Sequence, residues 1–280
     1  MIRHAFAASA LSTLAALGLF ASFSIAKDPV AHADVVNSPC GDGVACAVGD
    51  RAYHAVLPDG FDGAEPLPVL IHFHGWGRTG TNVINNEKIS GASRKNGVLL
   101  LAPDGLGKSW SFWRAPSRDV PFVEAMIADA EKRWPIDRSR IFVSGFSYGG
   151  AMAWRLACEK GGDYAAFLPI AGSLWNFEEL QDCTAPVNVR HVHGLKDTVM
   201  DLPRGADGDP LYAASPWVMR NQCGSSPDLD DTSGIYRMSV WTSCESGKSV
   251  RLDLHEGGHI IPKGWLDEQL KRLLEDTASL

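Results

Sequence analysis

The run Arg140-Ile-Phe-Val-Ser144-Gly145-Phe146-Ser147-Tyr148-Gly149-Gly150 constrains this 280-residue chain more than any other. A short apolar strand pattern leads straight into G-x-S-x-G, and a helical pattern, Tyr148 to Glu159, begins with no intervening loop. A strand that becomes a helix at once needs a tight turn. Glycines flank the serine because a side chain at either place would crowd the neighbouring strand or helix. Such a turn lifts the Ser147 hydroxyl clear of the strand end. It also aims the first amides of the helix at the same place, an arrangement suited to a developing oxyanion.

The rest of the chain repeats this alternation. Pro68 to His74, Gly97 to Ala102, Ala165 to Ala171 and Val187 to Val192 are short apolar runs of the kind buried on both faces of a parallel sheet. Arg51 to Leu57 alternates weakly and reads as an edge strand. Ile235 to Thr242 and Ser249 to Leu254 read as strands near the C-terminus. Phe122 to Trp134 and Trp265 to Leu274 carry apolar residues at helical spacing. The pattern predicts one α/β domain over residues 34–280, with a mostly parallel central sheet and helices on both faces. In such sheets ligands bind beyond the carboxyl ends of the strands.

Ahead of that domain, Arg3 and His4 precede an uncharged apolar stretch, Ala5 to Ile25. Small residues at Ser24 and Ala26, and again at Ala31 and Ala33, suit a signal peptidase. The expectation is a signal peptide over residues 1–26, or cleavage as late as Ala33, a secreted product, and no stable membrane span after cleavage. The net charge of −7 argues against a nucleic-acid partner. Six cysteines, an even number in an exported chain, predict disulfides, and proximity favours Cys40–Cys46, Cys158–Cys183 and Cys223–Cys244. No C-x-x-C and no histidine cluster beside them suggests a metal.

A serine hydroxyl is a weak nucleophile without a base. His259 follows two glycines beyond the strand Ser249–Leu254, and Asp197 lies a few residues beyond the strand Val187–Val192. The order Ser147, Asp197, His259 is that of a nucleophile, acid and base on this kind of sheet. His255 is the competing base, and Asp201 and Glu256 the competing acids. His72, His191 and His193 read as strand residues. The segment His74-Gly75-Trp76-Gly77 follows an earlier strand, and the backbone N–H groups of Trp76 and Tyr148 are the expected oxyanion donors.

The segments GFSYGG, HFHGWG, HGLKD and GGHIIPKGW, with PCGDGVACAVGDRAY, PDGLGKSWSFW and WVMRNQC, resemble the secreted α/β-hydrolase esterases known as polyhydroxybutyrate depolymerases. They are similar also to the feruloyl and acetylxylan esterases of carbohydrate esterase family 1, and the resemblance spans residues 40–276. It implies an α/β-hydrolase fold, ester hydrolysis through Ser147, Asp197 and His259, no cofactor and no metal. Depolymerases of solid polyester usually carry a further binding domain, and some have a cysteine where Trp76 stands here. The expected substrate is therefore a small or oligomeric ester of feruloyl, acetyl or hydroxyalkanoate type. Polymer hydrolysis, peptidase or acyltransferase chemistry, and an inactive binding module are the alternatives. Trp76, Trp110, Phe112 and Trp113 lie in loops at the catalytic edge and are expected to line the substrate pocket.

Overall fold

Strands whose residues are all buried build the centre of the molecule: β3 (Leu67–Phe73), β4 (Leu99–Pro103) and β6 (Ala166–Ile170) have no exposed position. The computed structural model describes residues 40–41, 43–174 and 183–278. The expected signal peptide lies outside the described residues. With β1 (Cys46–Val48), β2 (Arg51–Val56), β5 (Ile136–Phe146), β7 (Val189–Gly194), β8 (Leu229–Ser233), β9 (Tyr236–Trp241) and β10 (Val250–His255), they form a sheet of order β1-β2-β4-β3-β5-β6-β7-β10-β9-β8. The run from β4 to β10 is parallel. The outer pairs are antiparallel, β1 and β2 at one side and β9 and β8 at the other.

Two apolar clusters cover the two faces. On β3 the alternation sorts them: Val69, Ile71 and Phe73 join one cluster and Leu70 the other. The first cluster takes α3 (Val120–Ala130), α4 (Tyr148–Lys160) and Trp217 of α5 (Ser215–Arg220). The second takes α6 (Trp265–Ala278), Val83 of α1 (Gly80–Ile84) and Ala92 of α2 (Ser90–Lys95). Trp265, Leu266, Leu270 and Leu273 share the buried face of α6. Each such side chain contributes about 1.5–3 kcal/mol on burial, and Leu270→Ala alone would cost about 2–5 kcal/mol. Three disulfides join Cys40 to Cys46, Cys158 to Cys183 and Cys223 to Cys244.

The structure corrects several expected elements. Arg51–Val56 is not an edge strand, because β1 pairs outside it. β5 begins four residues before the apolar run, its polar start held by pairing of Ile136 with Leu67. The helix expected to reach Trp134 ends at Ala130 and continues only as turns.

Candidate active site

Ser147 sits where β5 passes into α4, with φ 59° and ψ −121°. A non-glycine residue at positive φ is strained, and persists where its surroundings over-determine it. They do so here. A Cβ on Gly145 would lie 2.2 Å from the Gly149 carbonyl oxygen, and one on Gly149 would lie 2.0 Å from that of Phe73. Only glycine lets strand, turn and helix approach this closely. The Ser147 amide donates to the Ile170 carbonyl at 3.0 Å, and its carbonyl accepts from Ala151 at 3.0 Å.

Asp197 and His259 meet beyond the ends of β7 and β10. His259 Nδ1 donates to Asp197 Oδ2 at 2.7 Å, which leaves Nε2 unprotonated in the neutral ring. Asp197 Oδ1 accepts the amides of Val199 and Met200 at 2.9 and 3.0 Å. Burial by itself would raise the Asp197 pKa. Hydrogen bonds from His193, His259 and those two amides outweigh it and hold the carboxyl well below its ordinary range. Gly194 permits the approach of the two loops, since a Cβ there would lie 2.4 Å from the carbonyl oxygens of Gly257 and Gly258. The Phe146 ring packs 4.7 Å from the His259 ring.

The competing residues lie elsewhere. His255 ends β10, where its Nδ1 accepts the Gly257 amide at 3.0 Å, and burial lowers its pKa. Glu256 pairs with Lys196 at the surface, and Asp201 is exposed.

The loop after β3 is held by its carbonyls. His74 Nδ1 donates to the Gly75 carbonyl at 2.8 Å, and His74 Nε2 accepts the Gly105 amide at 3.0 Å. Arg78 also donates its amide to the Gly75 carbonyl, and Trp110 Nε1 donates to the His74 carbonyl at 2.8 Å. The Gly75 carbonyl and the Trp76 N–H share one peptide plane, so the His74 ring sets where that N–H points. This arrangement requires a neutral His74 with Nε2 unprotonated. Burial is the largest influence on it and lowers its pKa.

Ser147, His259, Trp76 and Tyr148 all line one cavity of about 610 Å³, a size within the usual range for small-molecule sites. Of the other lining residues, those outside the serine turn and the His74–Gly77 segment were not expected to meet here. Asn82 and Val83 come from α1, Asn86 from the turn after it, and Val199 and Ile261 from the loops that carry Asp197 and His259. Trp110 and Phe112 are not on this wall. They are 2% and 1% exposed and belong to the core. Trp113 is half-exposed and packs on the Phe112 and Tyr148 rings rather than into the cavity.

A mostly parallel sheet with helices on both faces and a strand–serine–helix turn defines the α/β-hydrolase fold. Residues 118–220 match the Phospholipase/Carboxylesterase family. The chain is similar to feruloyl esterase C of Emericella nidulans, with 28% identity over 222 residues, 76% of this chain and 74% of that protein. It is similar also to the probable feruloyl esterase C of Aspergillus clavatus, 28% identical over 248 residues, 84% of this chain and 86% of that one. The acetyl xylan esterase from Aspergillus awamori has the same fold. It aligns with a TM-score of 0.63 and 15% identity over 80% of this chain and 94% of that one. The chain is a carboxylic ester hydrolase of the α/β-hydrolase fold.

Proposed function

We propose that this chain is an exported serine esterase that cleaves feruloyl-type esters through Ser147, His259 and Asp197. The observation that carries the proposal is the 2.7 Å bond from His259 Nδ1 to Asp197 in a cavity that Ser147 also lines. Neutral His259 has its lone pair on Nε2. It removes the Ser147 proton as Oγ bonds to the acyl carbon, and the carbonyl π electrons move to oxygen. The N–H groups of Trp76 and Tyr148 receive that oxyanion. The C–O bond to the alcohol then breaks, and imidazolium protonates the leaving oxygen. Water repeats the sequence on the acyl-enzyme and restores the serine. Asp197 fixes the tautomer and stabilises the imidazolium.

The named relatives and the cavity support this substrate class. Its apolar residues, Val83, Ile89 and Ile261, suit an aromatic acyl group, and Asn82 and Asn86 suit polar substituents on it. Export is supported by the three disulfides. No described helix is long and apolar enough to cross a membrane.

Ser147→Ala should fold normally and lose esterase activity by roughly four powers of ten. The assay is turnover of methyl ferulate, p-nitrophenyl acetate and hydroxybutyrate oligomers, with a fluorophosphonate probe to label the nucleophile. Methyl ferulate should give the highest kcat/KM. Near wild-type turnover by the mutant would exclude Ser147, and preference for the oligomers would move the substrate class.

A further inference from the structure

Behind Asp197 lies a buried pair of histidines that catalysis as proposed does not use. His191 and His193 stand two apart on β7, so their side chains share a face. Both are buried. His191 Nδ1 lies 2.9 Å from the Pro169 carbonyl oxygen, and His191 Nε2 lies 3.2 Å from His193 Nδ1. His193 Nε2 lies 2.7 Å from the Met200 carbonyl oxygen and 3.4 Å from Asp197 Oδ2. Carbonyl and carboxylate oxygens only accept. The row therefore has three places that each need an N–H: the Pro169 end, the contact between the rings, and the Met200–Asp197 end. Two neutral imidazoles bring two.

The buried carboxylate decides which place keeps its proton. A bare nitrogen lone pair facing both an anionic oxygen and a carbonyl in a dry site is the costliest arrangement, so His193 holds its proton on Nε2. The shortfall falls at the far end, on His191. Met200 thus binds the pair twice, by donating its amide to Asp197 Oδ1 and by accepting from His193. The titratable groups facing His193 are His191 on its own strand, Asp197 beyond it and His255 on β10. Trp154 of α4 packs on the His191 ring.

We infer that His193 is a positioning residue: its Nε2–H, shared between Met200 and Asp197 Oδ2, fixes the carboxylate that faces His259 and draws negative charge away from it. His193 therefore tempers the base. With its N–H gone, Asp197 would present more charge to His259 and hold the imidazolium more tightly. The inference rests on the proposed roles of Asp197 and His259.

The test is the pH profile of kcat/KM in three variants. Its acid limb reports the protonation of the free enzyme's base. His193→Phe keeps the ring volume and removes the donor. His193→Asn places its amide near the position of Nδ1, away from Asp197. His193→Gln reaches the position of Nε2 and restores a donor. In the Phe and Asn variants the acid limb should move up by about 0.5–1 pH unit, with kcat down by roughly tenfold and KM little changed. The Gln variant should keep the wild-type limb. If the Phe variant does not fold, the Asn–Gln contrast carries the test alone. A limb that stays put in Asn, or moves equally in Asn and Gln, overturns the inference. An active Ser147→Ala enzyme would instead overturn the nucleophile assignment, so the two failures are distinct.

Discussion

The loops after β3 and β4 both carry tryptophan and touch each other, yet they treat their tryptophans in opposite ways. The Gly77 amide donates to the Lys108 carbonyl, and the Gly105 amide donates to the His74 ring. Trp76 in the first loop is 69% exposed at the mouth of the cavity, whereas Trp110 in the second is 2% exposed. Trp110 is held inward because its indole N–H finds a partner there. Trp110 Nε1 reaches the His74 carbonyl, and its ring packs edge-on to Phe73 at 5.0 Å. A buried indole with a satisfied N–H is stable in a core. One loop therefore leaves its aromatic surface exposed beside the cavity, and the other uses its own to hold the first in place. Aromatic content at a catalytic edge does not distinguish these two uses. The position of the polar tip does.

Substitution at Trp110 sharpens this division with the largest expected effect. Trp110→Ala opens a cavity in a packed core and should cost about 3–5 kcal/mol of stability. Trp110→Phe keeps most of the volume and loses only the bond to the His74 carbonyl, about 1–3 kcal/mol if that group is left unpaired. In that milder variant the His74 and Gly75 peptides are less well fixed, and kcat should fall roughly tenfold while KM holds. Urea unfolding and steady-state kinetics on methyl ferulate measure both quantities. A Trp110→Phe enzyme with normal kcat and a raised KM would mean that Trp110 meets the substrate after all.

Acid should attack the supporting region before the rim. Burial lowers the pKa of His72 and of His191 from 6.5 to about 3, with the neighbouring His74 and His193 respectively acting in the same direction. In the unfolded chain both regain the ordinary value. Below pH 6.5 the unfolded state binds protons that the folded state refuses, so stability falls as the pH falls from there towards 3. For His72 the loss at pH 5 is about 2 kcal/mol, and His191 adds to it in the same direction. Asp197 works over a lower window. Its depressed carboxyl contributes stability above the ordinary value of 3.8 and loses it only as the pH drops below that. Urea midpoints at pH 7 and pH 5 should therefore differ, and His72→Leu should reduce the difference. Equal midpoints would show that these rings are not held neutral by the fold.

How much of this was visible beforehand depends on the range of the cause. The turn at Ser147 was legible because its glycines, its strand and its helix are all within a few residues. The positions of Asp197 and His259 followed from the strands that precede them, and the structure brings the two within 2.7 Å. β8 was not legible. Its sequence, LDDTS, is exposed throughout, and the backbone ladder to β9 needs no apolar pattern. α1 and α2 are too short for a periodic signal. The inward turn of Trp110 depends on a carbonyl 36 residues away in the chain. Asn82, Asn86 and Ile261 reach the cavity only through tertiary packing. For Trp110, Asn82 and Asn86 the deciding contact is non-local, and no short window of sequence contains it.

Trp76 should give the smallest effect and the cleanest separation of the two loops. Its side chain is mostly in solvent, so Trp76→Ala should change stability by less than about 0.5 kcal/mol. Its backbone N–H survives the substitution, and the His74–Gly75 clamp that orients it does not involve the indole. The proposed oxyanion contact, and with it kcat, should stay within about twofold of wild type. Only the aromatic surface at the cavity mouth is lost, worth about 0.5–1.5 kcal/mol against an aromatic acyl group. That corresponds to roughly a two- to tenfold rise in KM for methyl ferulate. With p-nitrophenyl acetate, whose acyl group has no ring, the rise should be smaller if the feruloyl ring is what meets Trp76. Comparing the two substrates in one variant thus reports which half of the ester the indole touches. An equal rise for both would place the alcohol side against Trp76. A fall in kcat with KM unchanged would mean that this exposed side chain, like the buried one beside it, acts by holding the loop.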